Sequence, residues 1–143
     1  MRQLDGRVLD LATLHGRVVV LNFWATWCPP CRDELPMLDR FAQGFRSRGV
    51  TVVGVSIDDT RDREEVMRVA EKLTYPIGLQ AEASADGFGV PGALPMTYVI
   101  DGDGVVRARF APRRSGLKET DLASCVEPLL VQAPKRDDPA SSQ

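Results

Sequence analysis

Val18-Val19-Val20-Leu21-Asn22-Phe23-Trp24-Ala25-Thr26-Trp27-Cys28-Pro29-Pro30-Cys31 is the stretch whose reading decides the fold. Its first seven residues are apolar except for Asn22, the pattern of a strand buried on both faces of a parallel or mixed sheet. Asn22 reads as a hydrogen-bonded core amide rather than a proton relay, since an amide does not titrate. Two cysteines three apart follow directly, with proline in what would be the first helical turn, where its missing N–H costs nothing. A strand leading into Cys-x-x-Cys at a helix start builds a reversible dithiol/disulfide pair. The spacing brings the second sulfur to the first, and the helix N-terminus favours a thiolate on Cys28. Zinc sites share the bare spacing, so the motif by itself leaves metal and redox chemistry open.

The residues after the motif predict a helix from Pro29 to about Arg48. Leu35, Leu38, Phe41, Ala42 and Phe45 fall on one face, and Pro36 is expected to kink it. Thr51–Ile57 is a second buried strand closed by Asp58-Asp59, and a further amphipathic helix is predicted over 61–73. Strand, helix, strand and helix in succession imply parallel strands joined by right-handed crossovers. Residues 74–95 read as irregular, with a short extended piece at Tyr75-Pro76-Ile77 and a helical turn over 82–88. Thr97–Ile100 and Val105–Phe110 form an antiparallel pair around Asp101-Gly102-Asp103-Gly104. A calcium loop starting at Asp101 would need glutamate at its twelfth position and finds Pro112, so the hairpin turn is preferred.

The last predicted helix spans Lys118 to Leu130, shortened by Pro128, with Cys125 as an inert thiol on its apolar side. Residues 132–143 read as a disordered tail, leaving one domain over 1–131. Residues 4–16 suggest a hairpin or edge element turning at Asp5-Gly6, in which Arg7 to Leu11 alternate. His15, the single histidine, reads as a solvated loop residue, since nothing in the sequence brings it to Cys28.

Composition bounds the classes of function. The chain has 143 residues, 43% hydrophobic and 27% charged, enough for one real core. A formal net charge of −2 offers no basic field for nucleic acid or an anionic membrane. Three cysteines are too few for a disulfide-stapled scaffold, and the odd count leaves one thiol outside any intramolecular bridge. The longest apolar run falls far short of a membrane span. No signal peptide stands at the start, which fits a cytosolic protein and equally a mature or truncated form.

The order of elements, together with Phe23 to Cys31, resembles the thioredoxin superfamily, and more narrowly the TlpA/ResA branch of extracytoplasmic thiol–disulfide oxidoreductases. The resemblance covers roughly residues 4–130. It rests on Val20 to Pro36 and on Gly89-Val90-Pro91-Gly92-Ala93-Leu94-Pro95-Met96-Thr97-Tyr98-Val99-Ile100-Asp101. It implies an α/β, thioredoxin-like fold: a central mixed sheet flanked by helices, with an N-terminal hairpin and a central insertion around 60–88. Cys28 matches the attacking cysteine, Cys31 the resolving one, and Pro95 the proline held in cis opposite the disulfide. Glu34 matches an acidic residue used near the dithiol, one turn from Cys31 at i+3. The alternative for Glu34 is a solvated residue pairing with Arg32 or Arg40. Asn22 stands where thioredoxins proper have a buried aspartate, as is usual for this branch.

Trp27, Pro29, Leu94 and Pro95 are the expected substrate contacts, with Trp27 flanking the sulfurs or packing on the sheet. The resemblance implies reduction of protein disulfides outside the cytoplasm, in cytochrome c maturation or at copper-site cysteines. A membrane thiol carrier is the implied reductant, because an oxidising compartment offers no glutathione pool. No cofactor beyond the Cys28–Cys31 pair is expected, no nucleic-acid partner, and a monomer, membrane-anchored or free in a periplasm-like compartment. A disulfide oxidase or isomerase and a metal-binding module on the same fold are the alternatives. A peroxidase would need threonine three residues before its cysteine, where this chain has Ala25.

Overall fold

The protein is described from a computed structural model that covers residues 1–82 and 91–132. Five strands form one mixed sheet: β1 (Val18–Trp24), β2 (Val50–Ser56), β3 (Ile77–Leu79), β4 (Met96–Ile100) and β5 (Val106–Phe110), in the order β3-β2-β1-β4-β5. The apolar run is its centre. β1 pairs in parallel with β2, from Val18 opposite Val50 to Trp24 opposite Ser56, and antiparallel with β4, from Val19 opposite Ile100 to Phe23 opposite Met96. All seven residues of β1 are buried, as a strand with a neighbour on each side and a covered surface on each face requires.

Helices α1 (Pro29–Phe45) and α2 (Arg63–Ala70) are the crossovers β1→β2 and β2→β3. Both parallel steps move outward in the same direction, so right-handed connections place both helices on the same face. α3 (Glu119–Gln132) joins them there, and Leu35, Leu38, Phe41, Val66, Leu122 and Val126 close over Val18, Val20, Trp24 and Val52 in one cluster. The opposite face holds Val19, Leu21, Phe23, Val53, Val55 and Met96, and is covered partly by Met1, Leu9 and Leu14 from the N-terminal segment. Among the fully buried side chains Trp24, Phe23, Phe41 and Leu38 are the largest, each contributing about 2–3 kcal/mol by leaving water.

The expected edge element at residues 4–16 is only partly strand-like. Gly6 turns the chain with φ +90°, Arg2 bridges Val8, and Gln3 bridges Gly78 so that the N-terminus lies along β3. A Cβ on Gly78 would stand 2.7 Å from the Arg2 carbonyl, so that approach requires glycine. From Leu11 to Leu14 the chain coils into a 3-10 turn instead of alternating, because the Asp10 carboxylate accepts the Ala12 N–H and caps it.

α1 runs without a break through Pro36, then tightens into a 3-10 turn at Arg46–Arg48. The final helix departs from expectation. α3 continues past Pro128 to Gln132 rather than being shortened there, as its core side chains Val126 and Leu129 hold both sides of the proline. The short extended piece expected at Tyr75-Pro76-Ile77 lies two residues further on, as β3 from Ile77 to Leu79, followed by a 3-10 turn at Gln80–Glu82. The rest of the predicted helical turn over 82–88, and the tail beyond 132, lie outside the described residues. β4 and β5 form the expected hairpin. The Asp101 carboxylate accepts the N–H groups of Asp103 and Val105 and the Arg107 guanidinium, and those bonds hold its pKa below the usual range. Its oxygens therefore serve the turn. Among the described residues no helix is long and apolar enough to cross a membrane.

Candidate active site

β1 ends at Trp24, and four residues later Cys28 caps α1 in extended conformation (φ −110°, ψ 100°). The Cys28 N–H closes the intervening loop on the Ala25 carbonyl (3.2 Å), and the Ile57 N–H bonds the Trp24 carbonyl at the end of β1 (2.9 Å). Cys28 and Cys31 are joined as a disulfide, with Cα atoms 5.3 Å apart. Pro29 and Pro30 occupy the first helical positions, so neither offers an N–H to the cap. The Cys31 N–H is the first one left, and it donates to Cys28 Sγ at 3.3 Å. Cys28 thus takes the place that serine or aspartate takes at other helix starts, and a thiolate there would face both that donor and the positive end of the helix dipole. Cys31 is the more deeply buried of the two, at 1% exposed against 7%.

Glu34 lies one turn further along α1 and is buried. It does not pair with Arg32 or Arg40; Arg40 stands beside Glu119 instead. Glu34 Oε2 accepts the Leu117 N–H (3.0 Å) from the loop between β5 and α3, while Oε1 is buried with no hydrogen-bond partner among the described residues. Burial pushes its pKa up, and the Leu117 bond and nearby Arg113 only partly oppose this. The arrangement is a buried carboxyl on the resolving-cysteine helix with one oxygen left without a partner among the described residues.

The Leu94–Pro95 bond is cis. Pro95 immediately precedes Met96, which pairs with Phe23, so it stands at the end of β1 from which the dithiol loop departs. Pro95 is buried and Leu94 half-buried, whereas Trp27 (63% exposed) and Pro29 are on the surface. The idea that Trp27 packs on the sheet is therefore corrected: with Ala25 and Cys28 turned inward, the side chain between them projects to solvent. Asn22 is the core amide expected, its Nδ2 donating to Thr97 Oγ1 at 2.9 Å.

His15 precedes β1 and Cys28 follows it, so a seven-residue strand, about 23 Å long, separates them. Cys125 is half-buried on α3 with its pKa raised by burial. Among the described residues no three histidine, cysteine or acidic side chains gather as a metal-holding group.

The feature that the sequence alone left out is a second buried carboxylate. Asp58, 2% exposed, follows β2 and accepts three bonds: from the Thr26 N–H (3.0 Å), the Thr26 hydroxyl (2.6 Å) and the Ser56 hydroxyl (2.5 Å). Thr26 is two residues before Cys28, so Asp58 ties the dithiol loop to the end of β2. Asp58-Asp59 after a strand reads as a strand stop. Only the pairing of Trp24 with Ser56 shows that the stop meets the loop.

Several characterised proteins are similar to this chain. The thiol-disulfide oxidoreductase ResA of Bacillus cereus is 31% identical over 103 residues, covering 72% of this chain and 60% of that protein. ResA of Oceanobacillus iheyensis is 32% identical over 104 residues, covering 73% of this chain and 54% of that one. The chain thus spans less than two thirds of the length of these relatives. Among solved structures, a thiol:disulfide interchange protein of the thioredoxin family from Chlorobium tepidum TLS superposes with a TM-score of 0.71 at 29% identity, covering 91% of both chains. A secreted disulfide oxidoreductase of Mycobacterium tuberculosis gives 0.71 at 27% identity, covering 89% of this chain and 92% of that one. The expected thioredoxin-like fold is therefore observed. A sequence model of the AhpC/TSA family matches residues 1–109, from the N-terminal bridge through the dithiol helix into β5, and the chain belongs to that family.

Proposed function

We propose that this protein is a thiol–disulfide oxidoreductase that reduces disulfides of other proteins through Cys28 and Cys31. The observation that carries the reading is Cys28 at the N-cap of α1, its sulfur accepting the Cys31 N–H, with Cys31 buried directly behind it. The names of the similar ResA proteins support it. Ala25, a buried methyl side chain, supplies no hydroxyl of the kind a peroxidase site would use three residues before its cysteine.

In the reduced protein the Cys28 thiolate attacks one sulfur of the substrate disulfide; the other substrate sulfur leaves as a thiolate and takes up a proton. Cys31 then gives its proton to Glu34 and attacks Cys28 Sγ. This releases the second substrate sulfur and leaves the Cys28–Cys31 disulfide. Two electrons and two protons pass to the substrate, so a dithiol donor must return them before the next cycle. Trp27 and Pro29 form the exposed rim on which a substrate chain would lie, and Leu94-Pro95 its inner wall. The sulfur pair is the whole redox apparatus of this reading, with no added cofactor. The domain working this way is residues 1–131 acting as a monomer.

The finer assignment is extracytoplasmic, anchored or free, with apocytochrome c thiols or copper-site cysteines as substrates and a membrane thiol carrier as donor. The similarity to secreted proteins of this fold supports the compartment. Similarity to a secreted thiol-disulfide isomerase of Corynebacterium glutamicum, 26% identical, keeps a second direction of electron flow in view. The reduction potential of the Cys28/Cys31 couple decides between them: a strongly negative value marks a reductant. The direct test is reduction of insulin disulfides by the pre-reduced protein. Cys28→Ser is expected to abolish it and Cys31→Ser to trap the mixed disulfide; wild-type turnover by Cys28→Ser would overturn the proposal.

A further inference from the structure

The two same-side crossovers leave a groove of about 390 Å³ between α1 and α2 that begins one residue beyond the dithiol. Its floor is apolar: Leu35 (4% exposed), Pro36, Val69 and Leu73. Its rim is cationic, with Arg32, Arg40 and Lys72. Arg40 stands 3.7 Å from Glu119, but Arg32 and Lys72 have no ion-pair partner among the described residues. The one acidic residue in the groove, Asp39, is bonded to neutral donors, Oδ1 accepting the Thr74 N–H and hydroxyl and Oδ2 accepting from Gln43, and its charge offsets one cation of the rim. With Arg40 beside Glu119, the two cations Arg32 and Lys72 face the single Asp39 carboxylate, so the rim of this chain of net charge −2 keeps a net positive charge around an apolar trough beside its reactive cysteine.

We infer that this groove docks a segment of the protein that exchanges disulfides with Cys28, and that the segment is acidic and apolar, its carboxylates on the rim and one or two aliphatic side chains on the floor. The inference rests on the proposed oxidoreductase activity and names the partner's chemistry. Arg32 lies four residues after Cys28, about 6 Å along the helix, so a few residues beyond a substrate cysteine reach the rim. Charges at such a rim act on encounter and specificity, and salt weakens them. The site therefore selects partners without altering the sulfur chemistry.

The test uses the full chain, pre-reduced, with three substrates. One is a peptide disulfide whose cysteine is followed by alternating leucine and glutamate, the second its twin with lysine for glutamate, and the third the small neutral hydroxyethyl disulfide. The wild type is expected to show a KM about tenfold lower for the acidic peptide than for the basic one at low salt, and the gap is expected to close at high salt. Lys72→Glu, beyond the end of α2, is expected to shrink the gap about fivefold, and Arg32→Gln about twofold, both with kcat on hydroxyethyl disulfide unchanged. Equal KM values for the two peptides with the wild type would overturn the docking inference while leaving the oxidoreductase reading intact. Failure on all three substrates would overturn that reading instead. Retention on phosphatidylserine vesicles lost in Lys72→Glu, with no peptide preference, would assign the groove to a lipid surface and likewise overturn the inference.

Discussion

Glu34, on the helix that follows the dithiol, and Asp58, bonded to the dithiol loop through Thr26, are both buried carboxyl groups, and they are built in opposite ways. Asp58 is surrounded by donors: an amide and two hydroxyls converge on its two oxygens. Glu34 receives one amide on Oε2, and Oε1 faces no partner among the described residues. The same functional group is therefore fastened by three donors in one place and left with an unpartnered oxygen in the other, which is what the proton-acceptor role proposed for Glu34 would need. The number of donors supplied by the surroundings separates the two roles, rather than burial, which both share.

The contrast is broken most forcefully at Asp58. Asp58→Ala strips the partner from three buried or half-buried donors at once and is expected to cost about 3 kcal/mol of stability, read as a lower denaturant midpoint. If Asp58 is only a fastener, the surviving folded protein should keep the wild-type turnover per folded molecule. Glu34→Gln should do the reverse. The amide oxygen still accepts the Leu117 N–H, so stability should move by less than about 1 kcal/mol, while resolution of the mixed disulfide slows by about a hundredfold at neutral pH. Stopped-flow release of substrate thiol measures that step; an unchanged rate would return Glu34 to a structural role.

Two smaller effects refine the picture. Thr26→Val removes the hydroxyl but keeps the amide to Asp58, and should cost about 1 kcal/mol with a small shift in the dithiol's reduction potential. The smallest is a slope. Because burial raises the pKa of Glu34, the folded chain holds that proton more tightly than the unfolded one. Its contribution to stability is complete at pH below the ordinary glutamate range and is lost as pH rises through the raised value. Denaturant melts across mildly acidic pH should show stability declining by under about 1 kcal/mol from this group, and Glu34→Gln should flatten that decline.

What could be read from the sequence was local. Val18–Trp24 announces a buried central strand, and the cysteine spacing with Pro29-Pro30 announces the cap, because each is decided by neighbours along the chain. Asp58 and Thr26 are 32 positions apart, and Glu34 and Leu117 are 83 apart. No periodicity encodes those meetings; they follow from the sheet order that brings β2 against β1, and from α3 packing back beside α1. Glu34 was singled out by resemblance, but its lone amide and its unpartnered oxygen belong to the tertiary structure. Trp27 and Pro128 show the other limit. A large aromatic beside two cysteines suggests burial and a proline suggests a helix end, yet the turn at Ala25–Cys28 faces the first outward and core contacts on both sides carry α3 past the second.

β5 has a bearing on how the protein behaves at high concentration. It lies at the open border of the sheet, paired only with β4 among the described strands. Such a border is a template on which a second copy could add a strand. Its inward residues Ala108 and Phe110 are half-buried against the core, while Arg107 and Arg109 alternate with them on the exposed face. A second copy laid antiparallel along β5 would set guanidinium groups against guanidinium groups, and like charges directly opposed weaken a ladder. In that register Arg109, and Arg107 beside its Asp101 partner, would oppose such strand addition, on a strand remote in sequence from the dithiol motif.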